Sequence, residues 1–227
     1  MNTNFEENVI EIDGLDEIEM ENTPVDDLES ESINLIFVGI DGSGSMHPFE
    51  NDMKSCLQEF KSALLDSKEA DEILIARADF SYNSVVGGYK KISEFETGFT
   101  AFGSTAMYDT ICDGVDKLTE YRKFLRDQGV RVKAVFAIFS DGEDNASNKD
   151  RGEAKAAVKF LNDEEITTAF ISFGGSATPI AQNLGFRNIL DVKSSASDLR
   201  KSFNCLSKSV IESSKSVVAD EDDFFQI

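Results

Sequence analysis

The stretch that decides the fold is Ile33–Ile40 (INLIFVGI), followed directly by Asp41-Gly42-Ser43-Gly44-Ser45. A near-continuous apolar run of this length is typical of a strand that is buried on both faces of a parallel sheet. One carboxylate and two hydroxyls then alternate with glycines at the point where that strand should end. We therefore expect hard oxygen atoms to gather at one edge of a sheet.

Outward from this strand, apolar periodicity predicts alternating strands and helices. A bend at Val85–Tyr89 predicts a short antiparallel strand at one edge of the sheet. Crossovers of this length imply an α/β fold with three layers and a mostly parallel central sheet. The expected strands are 72–80, 132–140, 166–173 and 189–192, and the expected helices are 49–67, 106–128, 150–162, 179–184 and 197–214.

Charge divides the chain into three parts. The net charge is -21, and no Lys or Arg precedes Lys54. Residues 1–31 hold 12 acidic groups, so we expect a disordered acidic arm there, followed by one domain over 32–216. An acidic and aromatic tail, 217–227, ends the sequence. Either tail could dock on a partner or support self-association, although a solvated tail is the simpler interpretation.

Composition also excludes several classes of function. A strongly acidic chain repels phosphate backbones and anionic lipid surfaces, so we expect no binding to nucleic acid or membranes. The three cysteines are far apart and form no CxxC pair, which favours free thiols in a reducing compartment. The sequence contains no secretion signal and no transmembrane-length apolar run, so we expect a cytoplasmic protein.

Two further segments supply oxygen ligands after the first. Thr105 lies in Gly103-Ser104-Thr105-Ala106, and Asp141 follows the strand that ends at Ser140. Since ligands of open α/β sheets bind at the carboxyl ends of the strands, Asp41, Thr105 and Asp141 can converge. Mg²⁺ prefers about six hard oxygens, which hydroxyls, carboxylates and water can provide. We expect His47 to stay off the metal, and Glu143 and Asp144 to lie in a solvated loop.

These three segments resemble the metal-ion-dependent adhesion site of von Willebrand factor type A (vWA) domains. The Asp-x-Ser-x-Ser pattern matches Asp41, Ser43 and Ser45, and the separate Thr and Asp match Thr105 and Asp141. The resemblance implies a Rossmann-like domain that binds Mg²⁺ or Mn²⁺ and recognises a partner's Asp or Glu without catalysis. It also implies a subunit or adaptor of an intracellular assembly, either associated with AAA+ ATPases or similar to tellurite-resistance and stress systems.

Enzyme alternatives find weaker support in the residues. The glycine-rich segment is not followed by Gly-Lys-Ser/Thr, so no lysine would reach a phosphate. Ser43 stands where an aspartyl-phosphate phosphatase would need a second Asp, and the segment lacks the Gly-x-Ser-x-Gly elbow of a serine hydrolase. A metal-assisted hydrolase or phosphatase that uses the same open Mg²⁺ site remains the alternative function.

Overall fold

The computed structural model describes residues 18, 21–67, 72–82, 84–215, 224 and 225. These residues form a seven-stranded sheet. The strands are β1 (Ser32–Asp41), β2 (Glu72–Phe80), β3 (Ser84–Val86), β4 (Lys90–Lys91), β5 (Arg131–Ser140), β6 (Thr167–Phe173) and β7 (Asn188–Val192). Their order in the sheet is β3-β2-β1-β5-β6-β7, and β4 also pairs with β2. Strands β1, β2, β5, β6 and β7 run parallel, whereas β3 and β4 both pair antiparallel with β2 at one edge.

In the described part of the chain, five long or capped α-helices cover the two faces of this sheet. Short 3-10 segments add Val25–Asp27, Gly44–Phe49 and Ile92–Glu94. Local signals fix some helix ends: Asp150 and Glu153 form a capping box before the third helix, and Gly185 ends the fourth in the left-handed conformation at φ 91°. The helices are α1 (Glu50–Leu65), α2 (Met107–Asp127), α3 (Arg151–Asp163), α4 (Thr178–Leu184) and α5 (Ala196–Lys215).

The side chains of β1 alternate between two apolar layers. Leu35 and Phe37 pack in the layer that holds α2, α3 and α4, whereas Ile36 and Val38 pack in the layer that holds α1 and α5. Gly114 of α2 lies directly against the Phe37 ring, and a Cβ at this position would come within 2.4 Å of the ring. Burial on both faces explains why β1 reads as a continuous apolar run, and it confirms the predicted three-layer α/β fold.

The described part of the acidic arm lies against the domain. Thr23 donates its backbone N–H and its hydroxyl to the carbonyl of Tyr89, and the Tyr121 hydroxyl donates to the carbonyl of Thr23 at 2.6 Å. The side chain of Asn22 accepts the backbone N–H of Tyr89. The proposed domain boundaries stay a prediction, and residues 1–17, 19 and 20 lie outside the described residues.

Two residues of the acidic C-terminal tail are also placed. Phe224 is buried in the layer with α1 and α5, and its backbone N–H donates to the side chain of Asn188 at the start of β7. Phe225 packs beside it. Residues 216–223, 226 and 227 lie outside the described residues. Among the described helices, none is both long and apolar enough to cross a bilayer.

Candidate metal centre

Asp41, the last residue of β1, is fully buried and has both carboxylate oxygens occupied. Its Oδ1 accepts the backbone N–H of Ser43 at 2.9 Å, and its Oδ2 accepts the hydroxyl of Ser140 at 2.6 Å. Ser140 ends the neighbouring strand β5, so the carboxylate bridges the ends of two parallel strands. These bonds fix the carboxylate, and the turn that follows becomes exposed at Gly44 and Ser45.

The two motif serines continue from this turn to Asp141. The hydroxyls of Ser43 and Ser45 lie 2.9 Å apart, and the hydroxyl of Ser45 donates to Oδ1 of Asp141 at 3.0 Å. Ser43 is buried, whereas Ser45 is exposed. Four of the five predicted ligands therefore form one hydrogen-bonded group, with its hydroxyl end open to solvent.

Thr105, the fifth predicted ligand, is buried and joined to the loop after β5 through its backbone. Its N–H donates to the side-chain oxygen of Asn145, and its carbonyl accepts the N–H groups of Asn145 and Ala146. The loop before it is joined to the first motif, because Gly44 donates to the carbonyl of Gly103 at 3.1 Å. The structure thus brings together the three chain segments that carry the predicted ligands.

The loop after β5 is also tied to the start of α2. Asp144 accepts the backbone N–H of Tyr108 and the hydroxyl of Ser147, and Asp109 accepts the N–H groups of Asn148 and Lys149. The expectation of a solvated loop is therefore wrong for Asp144, which stabilises the loop by capping the helix start. It holds for Glu143, which is exposed.

Sequence reasoning missed two residues that build the site, Ser140 and Ser176. The Ser140 hydroxyl donates to Asp41, 99 positions away, and the Ser176 hydroxyl donates to the carbonyl of Asp141. Asn145, which the sequence places close after Asp141 at this rim, accepts the backbone N–H of Thr105 with its side chain. Of the two missed residues, only Ser140 gave a signal, by its position at the end of a predicted strand. His47 is exposed, with Nδ1 3.6 Å from a carboxylate oxygen of Glu50, and it has no contact with the motif hydroxyls among the described bonds.

Negative charge accumulates at this edge of the sheet. Burial raises the pKa of Asp141 above its ordinary value, and the charge of Asp41 adds to the rise. A cation bound between these carboxylates would offset that repulsion. Among the described residues, no group of three or more His, Cys, Asp and Glu side chains is placed to hold a metal ion. A site here would therefore depend on hydroxyls for its ligand number, as the donor set of two carboxylates and three hydroxyls allows.

The architecture is that of von Willebrand factor type A domains. The pilus adhesin SpaC from Lactobacillus rhamnosus GG, in its open conformation, superposes with a TM-score of 0.63 at 12% identity, over 82% of this chain and 31% of that one. A von Willebrand factor type A protein from Catenulispora acidiphila gives a TM-score of 0.55 at 15% identity, over 79% and 43%. The SpRpn10 VWA domain gives 0.53 at 12% identity, over 82% and 99%.

These structural similarities concern the fold alone. The chain spans less than half the length of the first two structures. No protein-family model matches the sequence, and no curated protein does either. The superpositions establish a shared architecture, and at identities below a fifth a shared fold does not imply a shared function.

Proposed function

We propose that this chain is a metal-dependent protein-interaction module, not an enzyme. It binds Mg²⁺ or Mn²⁺ with Asp41, Ser43, Ser45, Thr105 and Asp141, and the metal takes an Asp or Glu of a partner protein. The observation that carries the proposal is the hydrogen-bonded group Ser43–Ser45–Asp141 above the buried carboxylate of Asp41. Its hydroxyl end is exposed, so a ligand can approach from solvent.

The donor set explains why a partner carboxylate would bind. Ser43, Ser45 and Thr105 would contact the cation through neutral hydroxyls, while Asp41 and Asp141 bind through water or orient the hydroxyls. A cation with few direct anionic ligands supplies a strong electrostatic attraction for an outside carboxylate. The hydrogen bonds of Asp41 to Ser140 and to the backbone of Ser43 hold the first motif in place for that contact.

We propose a broader role as a subunit or adaptor of an intracellular assembly. The sheet presents its candidate site on loops between rigid elements, which is the usual position for a recognition surface on an α/β domain. The partner would be a protein, and neither nucleic acid nor a membrane is expected to bind a chain with a net charge of -21.

Thermal unfolding followed by circular dichroism tests the metal site. At a Mg²⁺ concentration of about 100 times Kd, binding should stabilise the wild type by about 2.7 kcal/mol, a rise in Tm of roughly 5 to 10 °C. Ser45→Ala should lose most of that rise because it removes a proposed metal ligand. The hydroxyl of Ser45 is exposed, so its removal does not disturb the core. Asp41→Asn should lose it as well. Ser55→Ala, an exposed serine of α1, is the matched control and should keep the full rise.

Two outcomes would count against this function. If Mg²⁺ and Mn²⁺ leave Tm unchanged, or raise it equally in wild type and Ser45→Ala, the site does not hold the metal as proposed. If the protein hydrolyses a chromogenic phosphate ester with Mg²⁺ and Asp41→Asn abolishes the turnover, the hydrolase alternative is correct. Binding of a partner protein that EDTA reverses, without turnover, would support the interaction module.

A further inference from the structure

Beside the candidate metal centre lies an exposed aromatic cleft, whose lining includes Asp79, Tyr82, Val85, Glu96, Phe99 and Phe102 together with Gly42 and Thr100. It has a volume of about 570 Å³. Tyr82, Val85 and Phe102 are 59%, 75% and 57% exposed, which makes them the three most exposed large apolar side chains among the described residues. Such a grouping of exposed apolar side chains marks an interaction surface.

The cleft is continuous with the metal centre. Phe102 donates its backbone N–H to the carbonyl of Gly42 at 2.7 Å, so the residue after Asp41 forms part of the cleft wall. The Tyr82 ring lies against Gly103 and leaves no room for a Cβ there, since a Cβ would come within 2.3 Å of the ring. The rings of Tyr82 and Phe102, whose centroids are 6.4 Å apart, therefore lie where a segment bound at the metal can contact them.

The charge of the cleft selects its ligand. Among the described residues that line it, the charged ones are Asp79 and Glu96. Asp79 is already paired with Arg77, through contacts of 2.6 and 2.7 Å. Glu96 is exposed, and the Arg77 guanidinium binds only its backbone carbonyl among the described bonds. The cleft therefore offers two aromatic rings and one exposed carboxylate, a combination that suits a cation carried on a hydrocarbon stem.

The net charge of the whole chain supports the same choice. A partner segment that brings a carboxylate to a protein of net charge -21 is repelled during its approach. A basic side chain next to that carboxylate would offset the repulsion and steer the segment to the cleft. Resting on the proposed function, we infer that the partner presents an arginine or lysine close to its metal-binding Asp or Glu, with its stem on Tyr82 and Phe102 and its cation at Glu96.

Selection from a random displayed-peptide library on the full chain, in Mg²⁺, tests this inference. Selected peptides should contain Asp or Glu, with Arg or Lys at a constant offset from it. The basic preference should disappear in selections on Phe102→Ser and on Glu96→Lys, while the acidic preference remains. Phe160→Ser, an exposed aromatic of α3, and Glu120→Gln, an exposed carboxylate of α2, are matched controls that should select the same peptides as wild type.

Affinities of one selected peptide then measure the contact. Replacing its basic residue with Ala should weaken binding about 2- to 5-fold, and Phe102→Ser should do the same, as expected for an exposed cation on an aromatic ring. The two changes together should cost less than the product, because they remove the same contact. The Mg²⁺-induced rise in Tm of Phe102→Ser should equal that of wild type, which separates loss of the cleft from loss of the metal.

Different failures point to different conclusions. Peptides that are acidic but lack a basic companion, or that carry an apolar residue at the constant offset, would overturn the inference and leave the proposed function intact. A basic preference that survives in both Phe102→Ser and Glu96→Lys would also overturn it. Peptides without Asp or Glu that bind equally in EDTA would overturn the proposed function itself.

Discussion

Two buried serines near the ends of neighbouring strands should respond differently to the same substitution. Ser140 of β5 and Ser172 of β6 are register partners, and both are fully buried. The hydroxyl of Ser140 donates to the carboxylate of Asp41 at 2.6 Å, whereas the hydroxyl of Ser172 has no hydrogen-bond partner among the described residues. Changing each to Ala removes one oxygen from almost the same environment.

The structure sets the size of each effect. Ser140→Ala deletes a hydrogen bond to a charged group, leaves Oδ2 of Asp41 buried without it and removes the 3.3 Å acceptor of the Gly142 N–H, a loss of about 1.5 to 3 kcal/mol. At about 2 to 4 °C per kcal/mol for a chain of this length, Tm should fall by roughly 3 to 12 °C. Ser172→Ala removes a buried hydroxyl that gains nothing from folding, so its stability should be unchanged or higher by about 1 to 2 kcal/mol.

Urea unfolding followed by circular dichroism, in EDTA, measures both free energies of unfolding without any contribution from metal. Equal losses for the two variants would refute the reasoning, because they would show that the cost comes from the cavity and not from the bond to Asp41. A neutral Ser140→Ala would refute it as well. Repeating the measurement in Mg²⁺ adds a second comparison, since Ser140→Ala should also reduce the metal-induced stabilisation and Ser172→Ala should not.

Two further predictions concern the thiols and the arm. Burial raises the pKa of Cys56 and Cys112 to about 11, so at pH 8 their alkylation by iodoacetamide should be about 100-fold slower than for thiols with the ordinary value of 9.0. Rapid labelling of both thiols in the native protein would contradict this. Because the pKa of each thiol is higher in the folded than in the unfolded state, the free energy of unfolding should fall as pH rises from about 9 to 11. Tyr121→Phe removes the hydrogen bond to Thr23, so it should lower the free energy of unfolding by about 1 kcal/mol and speed proteolysis of the arm. Equal rates of cleavage in the variant and the wild type would show that this bond does not hold the arm.

The fold was predictable because its signals are local. Each buried strand is an apolar run and each helix an apolar stripe, so the predicted bounds lie within two residues of the observed ones, for example 106–128 against Met107–Asp127 for α2. Turn residues such as Gly185 act on their nearest neighbours only. The edge was less clear, because β3 and β4 are too short to carry periodicity and depend on pairing with β2.

The residues of the candidate site also differ in whether a local sequence signal reveals them. Asp41, Ser43 and Ser45 are recognisable because their spacing is short, and Asp141 is recognisable because it follows a strand. Ser140 and Ser172 are both buried serines of apolar strands, and the position of Ser140 at its strand end does not reveal that its hydroxyl is hydrogen-bonded to a carboxylate while, among the described residues, that of Ser172 is not. That distinction arises from the pairing of β1 with β5, which the sequence does not display. The metal-binding role of the five residues stays a prediction.

The acidic arm shows how composition can mislead about position. Its charge favours solvation, yet Asn22 and Thr23 are buried, because their polar groups pair with Tyr89 and Tyr121 from two distant segments. The stacked rings of these tyrosines, 5.3 Å apart, offer both an apolar surface and fixed polar partners. A polar segment is buried only where the folded domain supplies hydrogen-bond partners for its polar groups. Charge therefore predicts which segments lie at the surface of the domain. Whether such a segment is buried against the domain depends on the hydrogen-bond partners that the domain offers it.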